Sequence, residues 1–169
     1  LDPDTLNMDV ADAERRMTKA TKGIIPVHLF IQATPMQAVM DLARRNNLAV
    51  LEDSAEAWGM QSKVDGVWRK AGTVGLIGAY SFFPTKTLGG YGDAGLMVTD
   101  DEALYRKMKS YRVHGSSVKY HHDFIGYNSR LDTLQAALLR VKMRRTDAAI
   151  AARARIAERY TARLSRIPA

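Results

Sequence analysis

The chain has 169 residues, of which none is cysteine and only five are proline. The lack of cysteine excludes a disulfide framework, a thiolate nucleophile and a thiolate-ligated metal, and it fits a cytoplasmic protein. No apolar run approaches the ~20 residues needed to cross a bilayer as a helix. The four histidines, His28, His114, His121 and His122, lack ligand spacing with any acidic partner, so no metal site is expected. Outside one segment there is also no charge imbalance. Nine basic and two acidic residues lie between Arg140 and Arg166, which accounts for the whole net charge of +7. That basic segment reads as a solvated helix face. The alternative is a nucleic-acid surface on a regulatory or nucleic-acid-binding protein. The chain opens at Leu1-Asp2-Pro3 and stops at Ile167-Pro168-Ala169, just after a helical pattern, which reads as a fragment of a larger protein.

What is present has an α/β rhythm. Asp9 is placed to cap a helix over Val10–Thr18. Gly23–Leu29 reads as a short buried strand, with Pro26 favouring an edge position. Met36, Val39, Met40 and Ala43 recur at helical spacing over Pro35–Asn46. A second apolar run, Leu48–Leu51, ends in the acidic pair Glu52-Asp53. Strand, helix and strand at this spacing predict parallel strands joined by a right-handed crossover. Ser54–Gly59 is expected as a short helix, and Asp65-Gly66 as a hairpin turn. Strands are expected over Leu76–Ser81 and Leu96–Thr99, and a helix from Asp100-Asp101 to about Tyr111. His114–Asp123 reads as loop and Gly126–Arg130 as a polar turn. Two further helices follow, one from Asp132 and one over Ala148–Leu164. Trp58 and Trp68 read as packing residues.

The stretch with the most chemistry is Ala79–Gly95. An apolar strand runs into Ser81 and breaks at Pro84. Lys86 follows, then four glycines (Gly89, Gly90, Gly92 and Gly95). A lysine on a tight loop at a strand end, among small residues, is open to an approaching aldehyde. Ligands of open parallel sheets bind beyond the carboxyl ends of the strands, where Asp53, Ser81 and Lys86 all fall. Pyridoxal 5'-phosphate needs those groups: a lysine to hold its aldehyde, a carboxylate beside its ring nitrogen and donors for its phosphate. Taken singly, Asp53 also reads as a turn aspartate, Ser81 as an ordinary strand-end serine and Asn128 as a turn former.

Four segments extend this reading: E-D-S-A-E-A-W-G (Glu52–Gly59), S-F-F-P-T-K-T-L-G (Ser81–Gly89), G-D-A-G (Gly92–Gly95) and G-Y-N-S-R-L-D-T-L-Q-A-A (Gly126–Ala137). In this order and spacing, with I-I-P-V-H-L-F (Ile24–Phe30) before them, they resemble the DegT/DnrJ/EryC1/StrS family of nucleotide-sugar aminotransferases. The resemblance runs from about Asp9 onward. It implies a fold-type I, aspartate-aminotransferase-like large domain over residues 1–145, with a mostly parallel sheet flanked by helices. Residues 146–169 would be a helix leading into a small C-terminal domain. It also implies a homodimer with active sites at the interface, pyridoxal 5'-phosphate as cofactor, and glutamate and a nucleotide-linked keto-sugar as substrates, the dTDP-4-keto-6-deoxy type leading. Lys86 would carry the cofactor and Asp53 would pair with the pyridinium nitrogen. Ser81 would bind the phosphate, and Asn128 would reach it from the partner subunit. Glu56 stands near the ring where many members have glutamine. Ile31 stands where glycine is common. Members acting as sugar dehydratases have histidine in place of the lysine, so Lys86 favours transamination.

Overall fold

The computed structural model describes residues 1–29 and 32–167; the departure at Ile31 lies outside the described residues. Helix α1 spans Val10–Arg16, and the Asp9 side chain accepts the Asp12 N–H at its start. Strand β1 (Gly23–Ile24) is shorter than the apolar run around it, because Pro26 interrupts the ladder. Helix α2 (Met36–Asn46) starts at Pro35 and ends at Asn47, which adopts a left-handed φ of 51°. Strand β2 (Ala49–Asp53) returns parallel to β1, with Gly23 opposite Ala49 and Ile24 opposite Val50. Pairing resumes in the same register at Val27 and Asp53. This is the predicted strand–helix–strand unit.

The chain then leaves the sheet. Ser54–Gly59 forms turns rather than the expected helix. The Ala57 N–H returns to Ser54 O and the Met60 N–H to Ala57 O, each three residues back, so the segment makes two successive tight turns instead of the four-residue ladder of an α-helix. Strands β3 (Gln61–Val64) and β4 (Val67–Lys70) form a hairpin. Its two turn residues, Asp65 and Gly66, both have positive φ, as a two-residue hairpin of primed type requires.

Strand β5 (Ile77–Ser81) joins β2 in parallel, with Asp53 opposite Ala79. Strand β6 (Gly95–Val98) pairs antiparallel with β5 across the glycine loop. The resulting sheet has the order β1-β2-β5-β6 and is mostly parallel, with Pro26 on the outer strand as expected. Helix α3 (Glu102–Tyr111) is capped by Asp101. The expected loop His114–Asp123 contains a small hairpin, β7 (Ser116–Val118) with β8 (His121–His122). Its pairs alternate around a register shift, so the sequence shows no regular period there.

Helix α4 (Thr133–Leu164) is one helix of 32 residues, where two were expected. It contains no glycine or proline, and Thr146 at the supposed break returns its hydroxyl to Lys142 O, four residues back. The core has two centres. Met36, Val39, Ala43, Val50 and Val64 pack between α2 and the sheet. Phe82, Leu88 and Leu139 pack between the lysine loop and α4. Burying each large apolar side chain is worth about 1.5–3 kcal/mol. Both the sheet and the loop that follows β5 are therefore well anchored. No helix among the described residues is long and apolar enough to cross a membrane.

Candidate active site

Strands β2 and β5 run the same way, so Asp53 and Ser81 finish at one end of the sheet. Side chains alternate across a strand, and Asp53 lies opposite Ala79, two residues before Ser81. Asp53, Ala79 and Ser81 therefore share a face. Asp53 and Ser81 are partly exposed and Ala79 is exposed. The residues between them point the other way: Glu52 and Ser54 are each 1% exposed, and Gly78 is buried. One face is packed, and the other presents a carboxylate and a hydroxyl around a side chain no larger than methyl.

The backbone of Asp53 is held on both sides. Its N–H donates to Pro26 O at 2.9 Å, and its carbonyl accepts from the His28 N–H at 3.0 Å. The Ala55 N–H fixes one carboxylate oxygen at 3.1 Å. The Ser81 hydroxyl accepts the Phe83 N–H at 3.2 Å, and its own proton remains able to donate.

Lys86 lies five residues past the end of β5, in a tightly wound loop. Its N–H donates to Phe83 O, and the Gly90 N–H returns to Phe82 O. A Cβ at Gly89 would lie 2.3 Å from Pro84 O, a backbone atom with no room to move, so that turn tolerates only glycine. The Lys86 ammonium reaches back to the turn after β2, with Nζ 2.9 Å from Oε1 of Glu56. Sequence segments 30 residues apart thus meet as an ion pair at the sheet end, with the Lys86 side chain 22% exposed. Glu56 is three residues beyond Asp53, so the pair brings the lysine to the Asp53 end of β2.

Two residues with no sequence signal of their own support this loop. Gln135 on α4 accepts the Tyr91 N–H at 2.9 Å, and Lys142 donates to Gly89 O. Lys142 also sits over the Tyr91 ring, 5.4 Å from its centroid. Beneath the loop, Trp58 packs edge-on against Tyr80 and Phe82, at 5.6 and 5.5 Å between ring centroids. Trp68, expected as a packing residue, is 65% exposed.

Asn128 stands apart. It is exposed and bridges to Val113 through its backbone. Its side chain accepts from Arg130 at 3.2 Å. Among the described residues no contact joins it to Lys86, Asp53 or Ser81 within this chain.

Four of the five expected site residues converge on one sheet end, and the donor set has the chemistry of an aldehyde-binding site. The model of the DegT/DnrJ/EryC1/StrS aminotransferase family matches residues 1–169. The chain belongs to that family. It is 47% identical over 161 residues to a pleiotropic regulatory protein of Geobacillus stearothermophilus, covering 95% of this chain and 42% of that one. It is 48% identical over 135 residues to a UDP-N-acetyl-3-dehydro-α-D-glucosamine 3-aminotransferase of Acidithiobacillus ferrooxidans, covering 80% of this chain and 36% of the other. Among solved structures, the DesV protein of S. venezuelae, in complex with a ketimine intermediate, superposes with a TM-score of 0.90 at 36% identity, covering 96% of this chain and 43% of that one. The family member described here thus spans well under half the length of these relatives.

The residue pair that sequence reasoning missed lies directly behind Asp53. Glu52 is fully buried, and its two oxygens accept four donors. Oε1 takes the N–H groups of Val74 and Gly75 at 2.7 and 2.6 Å. Oε2 takes the Gly72 N–H at 2.7 Å and His28 Nε2 at 3.0 Å. Burial pushes the Glu52 carboxyl up, but the bonds from His28, Gly75, Gly72 and Val74 outweigh it and leave the group below its ordinary value. The other ring nitrogen of His28, Nδ1, accepts the Thr34 N–H at 3.1 Å. Nδ1 therefore carries the lone pair, and the proton sits on Nε2, facing Glu52. The available signal was an acidic pair at the end of an apolar run, its first member one position out of phase with the site face.

Proposed function

We propose that the protein to which this chain belongs is a pyridoxal-phosphate-dependent aminotransferase that moves an amino group from glutamate to a nucleotide-linked keto-sugar. The observation that carries this reading is the convergence of Lys86, Asp53, Glu56 and Ser81 on one open sheet end in a chain of this family. The residues fit the cofactor. Lys86 supplies the amine, Asp53 an anion for a protonated ring nitrogen and Ser81 a hydroxyl donor for phosphate, on a face whose central residue, Ala79, leaves space. When bound, pyridoxal phosphate supplies an electron sink for the pair left when a proton leaves the α-carbon of an amino acid.

The chain's own residues do the rest. Lys86 Nζ holds the aldehyde group and, once displaced by the substrate amine, takes and returns the proton as a general base and acid. Asp53 keeps a proton on the ring nitrogen through its negative charge. Glu56 pairs with Lys86 whenever the lysine is free, holding its ammonium against the sheet end. The loop seated on Gln135 and Lys142 keeps the amine at a fixed height above the sheet. Asn128, directed away from this chain's own site, would serve the site of a second subunit in a homodimer.

The family resemblance alone puts a dTDP-4-keto-6-deoxy acceptor first. The relative at 48% identity is named for amination at position 3, which makes the 3-keto sugars the first to try. Incubating the full-length protein with glutamate and a panel of 3-keto and 4-keto nucleotide sugars, with products read by mass, tests the reaction and its regiochemistry. The protein should be yellow as isolated, and borohydride should fix the cofactor to it. Lys86→Ala should abolish both, and a colourless full-length protein that aminates no member of the panel would sink the reading.

A regulatory reading has one specific support, the name of the relative at 47% identity, along with the basic face of α4. It predicts a shift of labelled DNA at physiological salt that Lys86→Ala leaves intact.

A further inference from the structure

Asp53 has to point its carboxylate at a ring nitrogen from the last residue of a strand, where a ladder ordinarily frays. Its outer neighbour is weak: β1 has two residues, and Pro26 removes a donor beside it. Yet the Asp53 N–H and carbonyl are both bonded to that outer segment, at Pro26 and His28. Something must hold the segment in register.

Building on the aminotransferase reading, we propose that Glu52 and His28 form a clamp on the packed face of the sheet whose role is to position Asp53. The geometry closes on itself. The His28 backbone N–H bonds Asp53 O while its side chain bonds Glu52, the residue immediately before Asp53. His28 thus grips two consecutive residues of β2, one by main chain and one by side chain. Its remaining nitrogen is engaged by Thr34, whose hydroxyl donates to Val27 O at 2.7 Å. Val27 and His28 are thereby both bonded to Thr34. On the far side, Glu52 accepts three backbone N–H groups of the Gly72–Gly75 loop. That loop lies against β5: the Tyr80 hydroxyl donates to Ala71 O at 2.5 Å, and a Cβ at Gly78 would lie 1.9 Å from Gly72 O.

The clamp therefore ties together the strand edge outside Asp53, the strand bearing Asp53 and the strand bearing Ser81. An apolar side chain at position 52 would fill the same volume without the desolvation cost of a buried carboxylate. The carboxylate adds direction: each donor has one acceptor site, so none of the segments can slide along its neighbour. Glu52 and His28 touch neither the open face nor Lys86. They are positioning residues that act through Asp53.

The test compares four variants of the full-length protein, Glu52→Gln, His28→Gln, Asp53→Asn and Leu42→Ala. Leu42 is fully buried on α2, takes no part in the clamp's hydrogen bonds and controls for a general loss of stability. Three quantities are read: amide hydrogen exchange at Gly72, Val74 and Gly75 without cofactor, the dissociation constant for pyridoxal phosphate, and the pH dependence of its visible band. Removing an outer partner that orients a metal-binding residue costs ~10–100-fold in metal affinity, and the lower figure is carried over to Asp53. Glu52→Gln and His28→Gln should each raise the dissociation constant by about that factor. They should also shift the pH midpoint of the band in the same direction as Asp53→Asn, while Leu42→Ala moves neither. If Glu52→Gln does not fold, His28→Gln carries the comparison. Faster exchange with affinity and pH midpoint unchanged in the clamp variants, while Asp53→Asn alters both, would overturn the clamp's role. No effect of Asp53→Asn on either cofactor readout would instead overturn the cofactor reading on which the clamp rests.

Discussion

Glu52→Gln is nearly isosteric, and the structure makes it costly. The wild-type carboxylate accepts two donors on each oxygen: Val74 and Gly75 on one, Gly72 and His28 on the other. A glutamine has only one acceptor oxygen, and its NH₂ group must face two donors whichever way it turns. Exchange of the histidine proton gives no relief, because Nδ1 already accepts the Thr34 N–H. Two donors are left without acceptors in either orientation, buried at Gly72 and His28 or part-buried at Val74 and Gly75, at about 1–3 kcal/mol each. The expected loss is therefore about 2–6 kcal/mol near neutral pH.

The pH dependence has a definite sign. The Glu52 carboxyl sits below its ordinary value of 4.5 in the folded chain. Its contribution is fully present above that value and is lost as pH falls through the lower folded value. Glutamine does not titrate, so the gap between the two proteins should narrow on acidification. Urea unfolding of the full-length protein without cofactor, read by tryptophan fluorescence at a series of pH values, measures both effects. A difference below about 0.5 kcal/mol at neutral pH, the range of inconsequential surface changes, would refute the saturated-carboxylate account. A gap that widens on acidification would refute the assigned charge state.

Other perturbations probe neighbouring parts of the site. Gly78→Ala would put a methyl group 1.9 Å from Gly72 O and 2.6 Å from Gly72 C. Both are backbone atoms, so a loss above about 3 kcal/mol is expected, checked by the same unfolding assay. Gln135→Ala removes the acceptor of the Tyr91 N–H. It should lower turnover several-fold while shifting stability by only about 1 kcal/mol, and unchanged turnover would show that the glycine loop holds Lys86 without Gln135. Mixing Asn128→Ala subunits with Lys86→Ala subunits should restore part of the activity that each lacks alone. Mass-verified heterodimers without any recovery would exclude a site shared between subunits.

The parts of this structure that were legible in the sequence follow from local rules. The helix over Met36–Asn46 and its flanking strands announce themselves by period and length, and the Asp65-Gly66 turn by the two residues that tolerate positive φ. Asp53 and Ser81 stood out because each ends a strand, and Lys86 because it follows Pro84 in the loop after β5. The misreadings lie where the deciding partner is distant in sequence. Ser54–Gly59 has the composition of a helix, but the Ser54 N–H ties its start to Ala79 O on β5, and two tight turns follow, closed at Ala57 and Met60. Gln135 and Lys142 look like any polar residues of a helix until the loop at Gly89–Tyr91 arrives against them.

Glu52 is the most instructive case, because half of its answer was local. The alternation along β2 puts Val50, Glu52 and Ser54 on the buried side and Leu51 and Asp53 on the other. Two adjacent acidic residues at a strand end must therefore have opposite environments, one open and one packed. The period of two separates their faces without saying what satisfies the packed one. That information lies at residue 28 and at residues 72–75, on either side of the strand, and only the fold brings those segments together. The consequence bears on function. On the proposed reading Asp53 meets the cofactor and Glu52, one residue before it, does not, so substitutions on the closed face of the sheet should change what happens on the open one.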